Sequence, residues 1–108
     1  MRKIYQQLWI QKEEAGYRVG MTPELQDDAG DISYVNIAPL GGIEVDDTLF
    51  NVEASKAAIE IPSPLKGTIV AINEAAVDNP TLLNSTNETD NWVVLLADVD
   101  ETAFLALD

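Results

Sequence analysis

The chain has 108 residues, 46% of them hydrophobic, and carries 19 acidic residues against 6 basic ones for a net charge of −13. That length fits a single domain spanning 1–108 with a real apolar core, and the absence of both His and Cys excludes Ser-His-Asp and Cys-His catalysis, thiolate metal sites and disulfides. The acidic balance repels nucleic acid backbones and anionic membranes and draws partners with basic surfaces, although solubility alone accounts for it equally well.

In chain order, Met1–Gln11 has no long apolar run and no small-residue cleavage site, so it does not read as a secretory signal. Nothing approaches the ~20 apolar residues of a membrane span. The expectation is a cytoplasmic protein. Leu8–Gln11 and Tyr17–Met21 predict a hairpin around Glu13-Glu14-Ala15-Gly16. Thr22-Pro23-Glu24 starts a short helix: a capping hydroxyl, proline at the first helical position, then an acid in the first turn, with Gly30 as the stop. Ile32–Ile37 predicts a strand closed by Ala38-Pro39, and Leu40-Gly41-Gly42 a turn before a short strand Ile43–Val45. Asp46-Asp47 is a turn. Leu49–Glu53 and Ala58–Ile61 are strands joined through Ala54-Ser55-Lys56-Ala57 and stopped by Pro62 and Pro64. Gly67–Asn73 is a strand, Asp78–Leu83 a turn or single helical turn, Ser85–Asn91 a solvated loop, and Trp92–Leu96 the last strand. Asp100 caps a C-terminal helix through Phe104 and Leu107. Many short strands with frequent turns predict an all-β sandwich or barrel with short helices.

One lysine stands out. Between Arg18 and Lys66, Lys56 is the only basic residue, and none follows Lys66. It sits midway between two strands that share a hairpin, and its neighbours Ala54, Ser55 and Ala57 are small. A primary amine there can be acylated, which removes its charge and adds a long flexible group. A cofactor tethered in this way is raised in local concentration at every active site it can reach. On hairpin position alone, an exposed lysine without a role is the more economical account. The acidic pairs Asp27-Asp28 and Asp46-Asp47 and the group Asp98, Asp100 and Glu101 lack the EF-hand pattern. They read as solvated turns, so no metal and no catalytic residue is assigned. Trp9 and Trp92 read as packing residues.

The stretch from Gly30 to Asn73 resembles the glycine cleavage system H protein family. In that family an acid, two residues, a lysine and an alanine form the hairpin that carries lipoate; this chain reads Glu53-Ala54-Ser55-Lys56-Ala57. The family's Gly-Asp-Ile strand ending in proline is matched by Gly30-Asp31-Ile32 through Pro39. Pro64, Gly67 and Ile69–Asn73 match the segment after the hairpin. Trp9 and Gly20-Met21-Thr22 match upstream; Asp78, Pro80, Leu82-Leu83-Asn84 and Trp92 match downstream, so the resemblance covers Leu8 to Leu96. It implies a lipoyl-type flattened β-barrel, a barrel-sandwich of two antiparallel sheets. It also implies a lipoyl group on Lys56, with Glu53, Ala54, Ser55 and Ala57 as the hairpin recognised by a lipoate ligase or a lipoyl/octanoyl transferase. The implied role is a monomeric, non-enzymatic carrier moving an aminomethyl group and electrons between glycine decarboxylase, aminomethyltransferase and dihydrolipoyl dehydrogenase.

The chain departs from the family's pattern at several places. Gln7-Leu8 replaces His-Glu before the early tryptophan, Asn87–Asn91 replaces Pro-Tyr-Gly-x-Gly before the late one, Asp46-Asp47 replaces Gly-Asp, and the C-terminal helical region is abbreviated. Asn and Asp tolerate the left-handed turns that glycine otherwise serves. Short H-like members of the family suggest an alternative: a relay that hands lipoate to 2-oxoacid dehydrogenases, or a carrier serving a macrodomain and sirtuin-type ADP-ribosylation system. A biotin carrier shares the fold but typically flanks its lysine with methionines, unlike Ser55 and Ala57. An unmodified binding module is the remaining alternative.

Overall fold

The computed structural model describes residues 1–107. Its strands are set by the apolar alternation of the sequence and its breaks by proline, glycine and aspartate. Strand β1 (Arg2–Tyr5) is followed by β2 (Leu8–Glu13) and β3 (Gly16–Met21). The β2–β3 hairpin has the predicted turn, with Glu13 opposite Gly16 and Ile10 opposite Val19. Helix α1 (Pro23–Ala29) begins as its sequence predicts: the Thr22 Oγ1 accepts from the Leu25 amide at 3.3 Å, and Gly30 ends the helix at φ +81°. Strands β4 (Ile32–Ile37), β5 (Gly41–Ile43), β6 (Thr48–Ala54), β7 (Ala58–Pro62) and β8 (Gly67–Ile72) follow. Helix α2 (Glu74–Asp78), a 3-10 turn (Pro80–Asn84) and helix α3 (Glu88–Asn91) then lead to β9 (Trp92–Ala97) and α4 (Glu101–Leu105).

The strands form two antiparallel sheets, six strands in the order β1-β2-β3-β9-β8-β5 and three in the order β4-β6-β7. The core is one cluster drawn from both: Leu8, Ile10, Val19 and Met21 of the larger sheet pack with Val35, Phe50, Val52 and Ile61 of the smaller. Burying each such side chain contributes roughly 1.5–3 kcal/mol. Phe104 of α4 is fully buried, with its ring centroid 4.8 Å from that of Tyr17. Among the described residues no helix is long and apolar enough to cross a membrane.

Five elements differ from the expectation, one of them α4, which ends at Leu105 rather than reaching Leu107. Strand β5 begins two residues earlier, at Gly41, because Gly41, Gly42 and Ile43 pair with Ile69, Thr68 and Gly67. Backbone pairing with β8 overrides the turn preference of the glycines, and Val45 is left outside the strand. Strand β1, helix α2 and helix α3 stand where no element was expected. Ser85–Asn91 is not a plain loop: Asn87 caps α3 by accepting from the Thr89 amide at 3.0 Å.

Candidate functional site

Lys56 lies just past the end of β6, in the tight link to β7. Register across the hairpin runs Val52 to Ile59 and Glu53 to Ala58, and the Ala54 amide donates to the Ala57 carbonyl at 3.0 Å. The tip is exposed, but it is not free. The Ser55 amide donates to the Asp31 carbonyl at 2.9 Å, and the Asp31 amide donates back to Ser55 Oγ at 3.0 Å. The Lys56 amide donates to the Ala29 carbonyl at 2.9 Å. The last turn of a helix leaves carbonyls without intrahelical partners, and here the hairpin supplies donors to that end of α1.

The side chain follows the backbone. Lys56 Nζ donates to the Asp27 carbonyl at 2.9 Å. Four cations form ion pairs with carboxylates: Arg2 with Glu88, Lys12 with Glu101, Arg18 with Glu13 and Lys66 with Glu44. Lys56 has no such pair among the described residues. Its ammonium is held by one carbonyl and is accessible. Beside it opens a shallow cleft of about 430 Å³ whose walls include Pro23, Gln26, Asp27, Asn84 and Thr86. Gln26 braces that wall, donating from Nε2 to the carbonyls of Leu83 at 2.6 Å and Ser85 at 2.7 Å.

Of the hairpin residues singled out in the sequence, Ser55 and Lys56 are engaged with α1 and the start of β4. Glu53 sits on β6 opposite Tyr34 and Ala58, with an exposed side chain, and its carbonyl accepts from Ser33 Oγ at 3.1 Å. Ala54 and Ala57 close the link. Missing from the sequence reading was the role of α1's C-terminal end as the seat of the tip. Gly30 was noted as a helix stop but not as a neighbour of the lysine. An added Cβ there would lie 2.3 Å from Ser55 Oγ and 3.0 Å from Lys56 Cγ.

Two of the departures from the family pattern, at Asp46-Asp47 and Asn87–Asn91, have local explanations. Asp46, in place of glycine, adopts φ +70°, a left-handed conformation that aspartate tolerates better than most residues. Asp47 Oδ2 accepts from the Glu44 amide at 3.0 Å. The Asn87–Asn91 segment forms α3 and covers Trp9, whose Nε1 donates to the buried Asn91 Oδ1 at 3.0 Å. Trp9 and Trp92 pack on the outer face of the larger sheet, with the guanidinium of Arg2 4.9 Å from the Trp9 ring and that of Arg18 4.5 Å from the Trp92 ring. Asp100 caps α4, accepting from the Thr102 amide at 2.9 Å. Among the described residues no three acidic side chains converge on a cation site.

The sequence matches the family described as glycine cleavage H-protein over residues 1–107. It is 45% identical over 107 residues to a glycine cleavage system H-like protein of Staphylococcus aureus, a match covering 99% of this chain and 97% of that one. It is 32% identical over 100 residues to the glycine cleavage system H protein of Listeria innocua, covering 92% of this chain and 80% of the relative. The crystal structure of a glycine cleavage system H protein from Mycobacterium marinum superposes with a TM-score of 0.77 at 22% identity, covering 91% of this chain and 87% of that one; it shows the shared fold. Fold, family match over residues 1–107 and a relative of nearly equal length agree: the chain belongs to the glycine cleavage H-protein family, a family of lipoyl carriers.

Proposed function

We propose that Lys56 is the attachment point of a lipoyl group and that the chain carries an aminomethyl group and electrons between glycine decarboxylase, aminomethyltransferase and dihydrolipoyl dehydrogenase. The observation that carries this reading is the accessible Lys56 ammonium, held on a fixed hairpin tip with no carboxylate partner among the described residues. The residues fit the group. A primary amine on a flexible stem stands at the rim of an open cleft, and the small side chains of Ala54, Ser55 and Ala57 leave room for a modifying enzyme. When bound, a lipoyl group supplies the dithiolane that accepts electrons and the transferred carbon. The chain's own residues supply none of that chemistry, since it has neither His nor Cys. Their task is to hold the tip, to present the amine and to offer a surface to each client in turn. No residue of the chain is assigned a catalytic role.

Intact mass after co-expression with a lipoate ligase and lipoate tests the attachment. One lipoyl adduct is expected, and Lys56→Arg should abolish it; an unmodified wild-type chain, under conditions that modify another H protein, would refute the assignment. Glycine-dependent reduction of the lipoylated protein by glycine decarboxylase tests the client. If reduction fails while lipoyl transfer to a 2-oxoacid dehydrogenase succeeds, the protein is a relay.

A further inference from the structure

We propose that Ser55, seated against Gly30, is the positioning residue that presents Lys56 for acylation, and that it acts through the backbone of Asp31 rather than by touching the modifying enzyme. The proposal rests on the reading of Lys56 as the attachment lysine. Ser55 makes a reciprocal pair of hydrogen bonds with one residue. Its amide donates to the Asp31 carbonyl at 2.9 Å, and its hydroxyl oxygen accepts from the Asp31 amide at 3.0 Å. The next amide, that of Lys56, donates to Ala29 at 2.9 Å. The tip is thus clamped across the junction of α1 and β4, far from it in sequence and independent of the hairpin's own ladder.

Gly30 makes the clamp possible. Its φ of +81° turns the chain between α1 and β4, and the space that a Cβ would fill is taken by Ser55 Oγ at 2.3 Å. The seat and the hydroxyl are therefore complementary: a side chain at position 30 would displace the group that holds Asp31. Alanine at position 55 would keep both backbone bonds but leave the Asp31 amide without its acceptor.

Acylation forms one bond, from Lys56 Nζ to the carbonyl carbon of an adenylated lipoate. The adenylate departs as AMP with the bonding pair, and the ammonium releases two protons. Before attack, Nζ must lose the first of those protons, because an ammonium has no lone pair to offer; the neutral amine can still donate to the Asp27 carbonyl. The exposed lysine stem is the part free to turn toward the acyl carbon, while the backbone beneath it is held. A clamped backbone confines the search to the lysine stem, so the modifying enzyme need not order the tip on binding. Loss of one hydrogen bond of this kind corresponds to roughly a fivefold change in an equilibrium.

The test is steady-state lipoylation of the full apo chain by a lipoate ligase, with wild type, Ser55→Ala, Ser55→Thr and Lys56→Arg side by side. Ser55→Ala should raise KM for the apo protein about fivefold with kcat unchanged, speed hydrogen exchange at the Asp31 amide, and lower the unfolding midpoint by no more than the ~4–8 °C that one such bond is worth, leaving the chain folded at assay temperature. Ser55→Thr, which keeps the hydroxyl, should return KM toward wild type. Equal KM for wild type and Ser55→Ala overturns the proposal, as does a fall in kcat alone or a Ser55→Thr chain as poor as Ser55→Ala. Modification that persists in Lys56→Arg would instead overturn the attachment site itself, and so separates the two failures.

Discussion

At the scale of single residues, close approach and left-handed backbone explain more than side-chain chemistry does. Gly20 faces Trp9 across β2 and β3, and an added Cβ would lie 2.3 Å from two atoms of the indole ring. Trp9 cannot withdraw, because its Nε1 is tied to Asn91 and its ring is only 3% exposed. Gly20→Ala should therefore destabilise the fold by about 1–3 kcal/mol through overpacking, read as a fall in the thermal unfolding midpoint with a shift in tryptophan emission. A midpoint within a degree of wild type would show that the ring can relocate. Lys56 was noticeable in the sequence from its isolation among acids and from the small residues around it, but only the family resemblance made it a candidate for attachment. The carbonyls that receive its amide and its ammonium were not legible, because those of Ala29 and Asp27 carry no side-chain signature.

Elements were legible in proportion to their patterning. The caps of α1 and α4 and the β2–β3 and β6–β7 hairpins follow from Thr22-Pro23, Asp100 and alternating apolar residues, so they stand where the sequence places them. Strand β1 did not, since Arg2–Tyr5 is short, polar and defined by pairing with β2. Helix α3 carried a signal that went unread: Asn87 followed by Glu88 and Asp90 is a capping residue before an acidic first turn. Short helices of this kind are not stable alone and depend on tertiary anchors. For α4 the anchor is Phe104, which is fully buried against Tyr17, with Lys3 Nζ donating to the carbonyls of Leu105 at 2.8 Å and Leu107 at 2.7 Å. Phe104→Ala should cost about 3–5 kcal/mol and abolish protection from hydrogen exchange in α4. Asp100→Ala, which removes only the cap, should cost about 1 kcal/mol. Equal losses in denaturant titrations would mean that the cap holds the helix as firmly as the ring does.

At the scale of the whole molecule, strand spacing gave only a sandwich or barrel and the family resemblance implied the two sheets, but the partition into six and three strands was not legible, because it depends on pairings distant in sequence such as β3 with β9. Charge is also unevenly shared. Arg2, Lys3, Lys12 and Arg18 all lie on the first three strands, leaving the α1 side, with Glu24, Asp27, Asp28 and Asp31, strongly negative around one lysine. Exposed hairpin ends are common sites of proteolytic nicking, and an accessible lysine should invite trypsin. A protease, however, needs an extended stretch of substrate, and here the amides of Ala54, Ser55 and Lys56 are all engaged. Cleavage after Lys56 in the apo protein should therefore wait for opening of the molecule rather than for motion of the tip. Native digestion with trypsin should produce that cut at a rate that rises steeply with denaturant; a fast, denaturant-independent cut would show that the tip opens by itself. The tie that holds Lys56 out at the tip thus also hides the adjoining peptide bond from a protease.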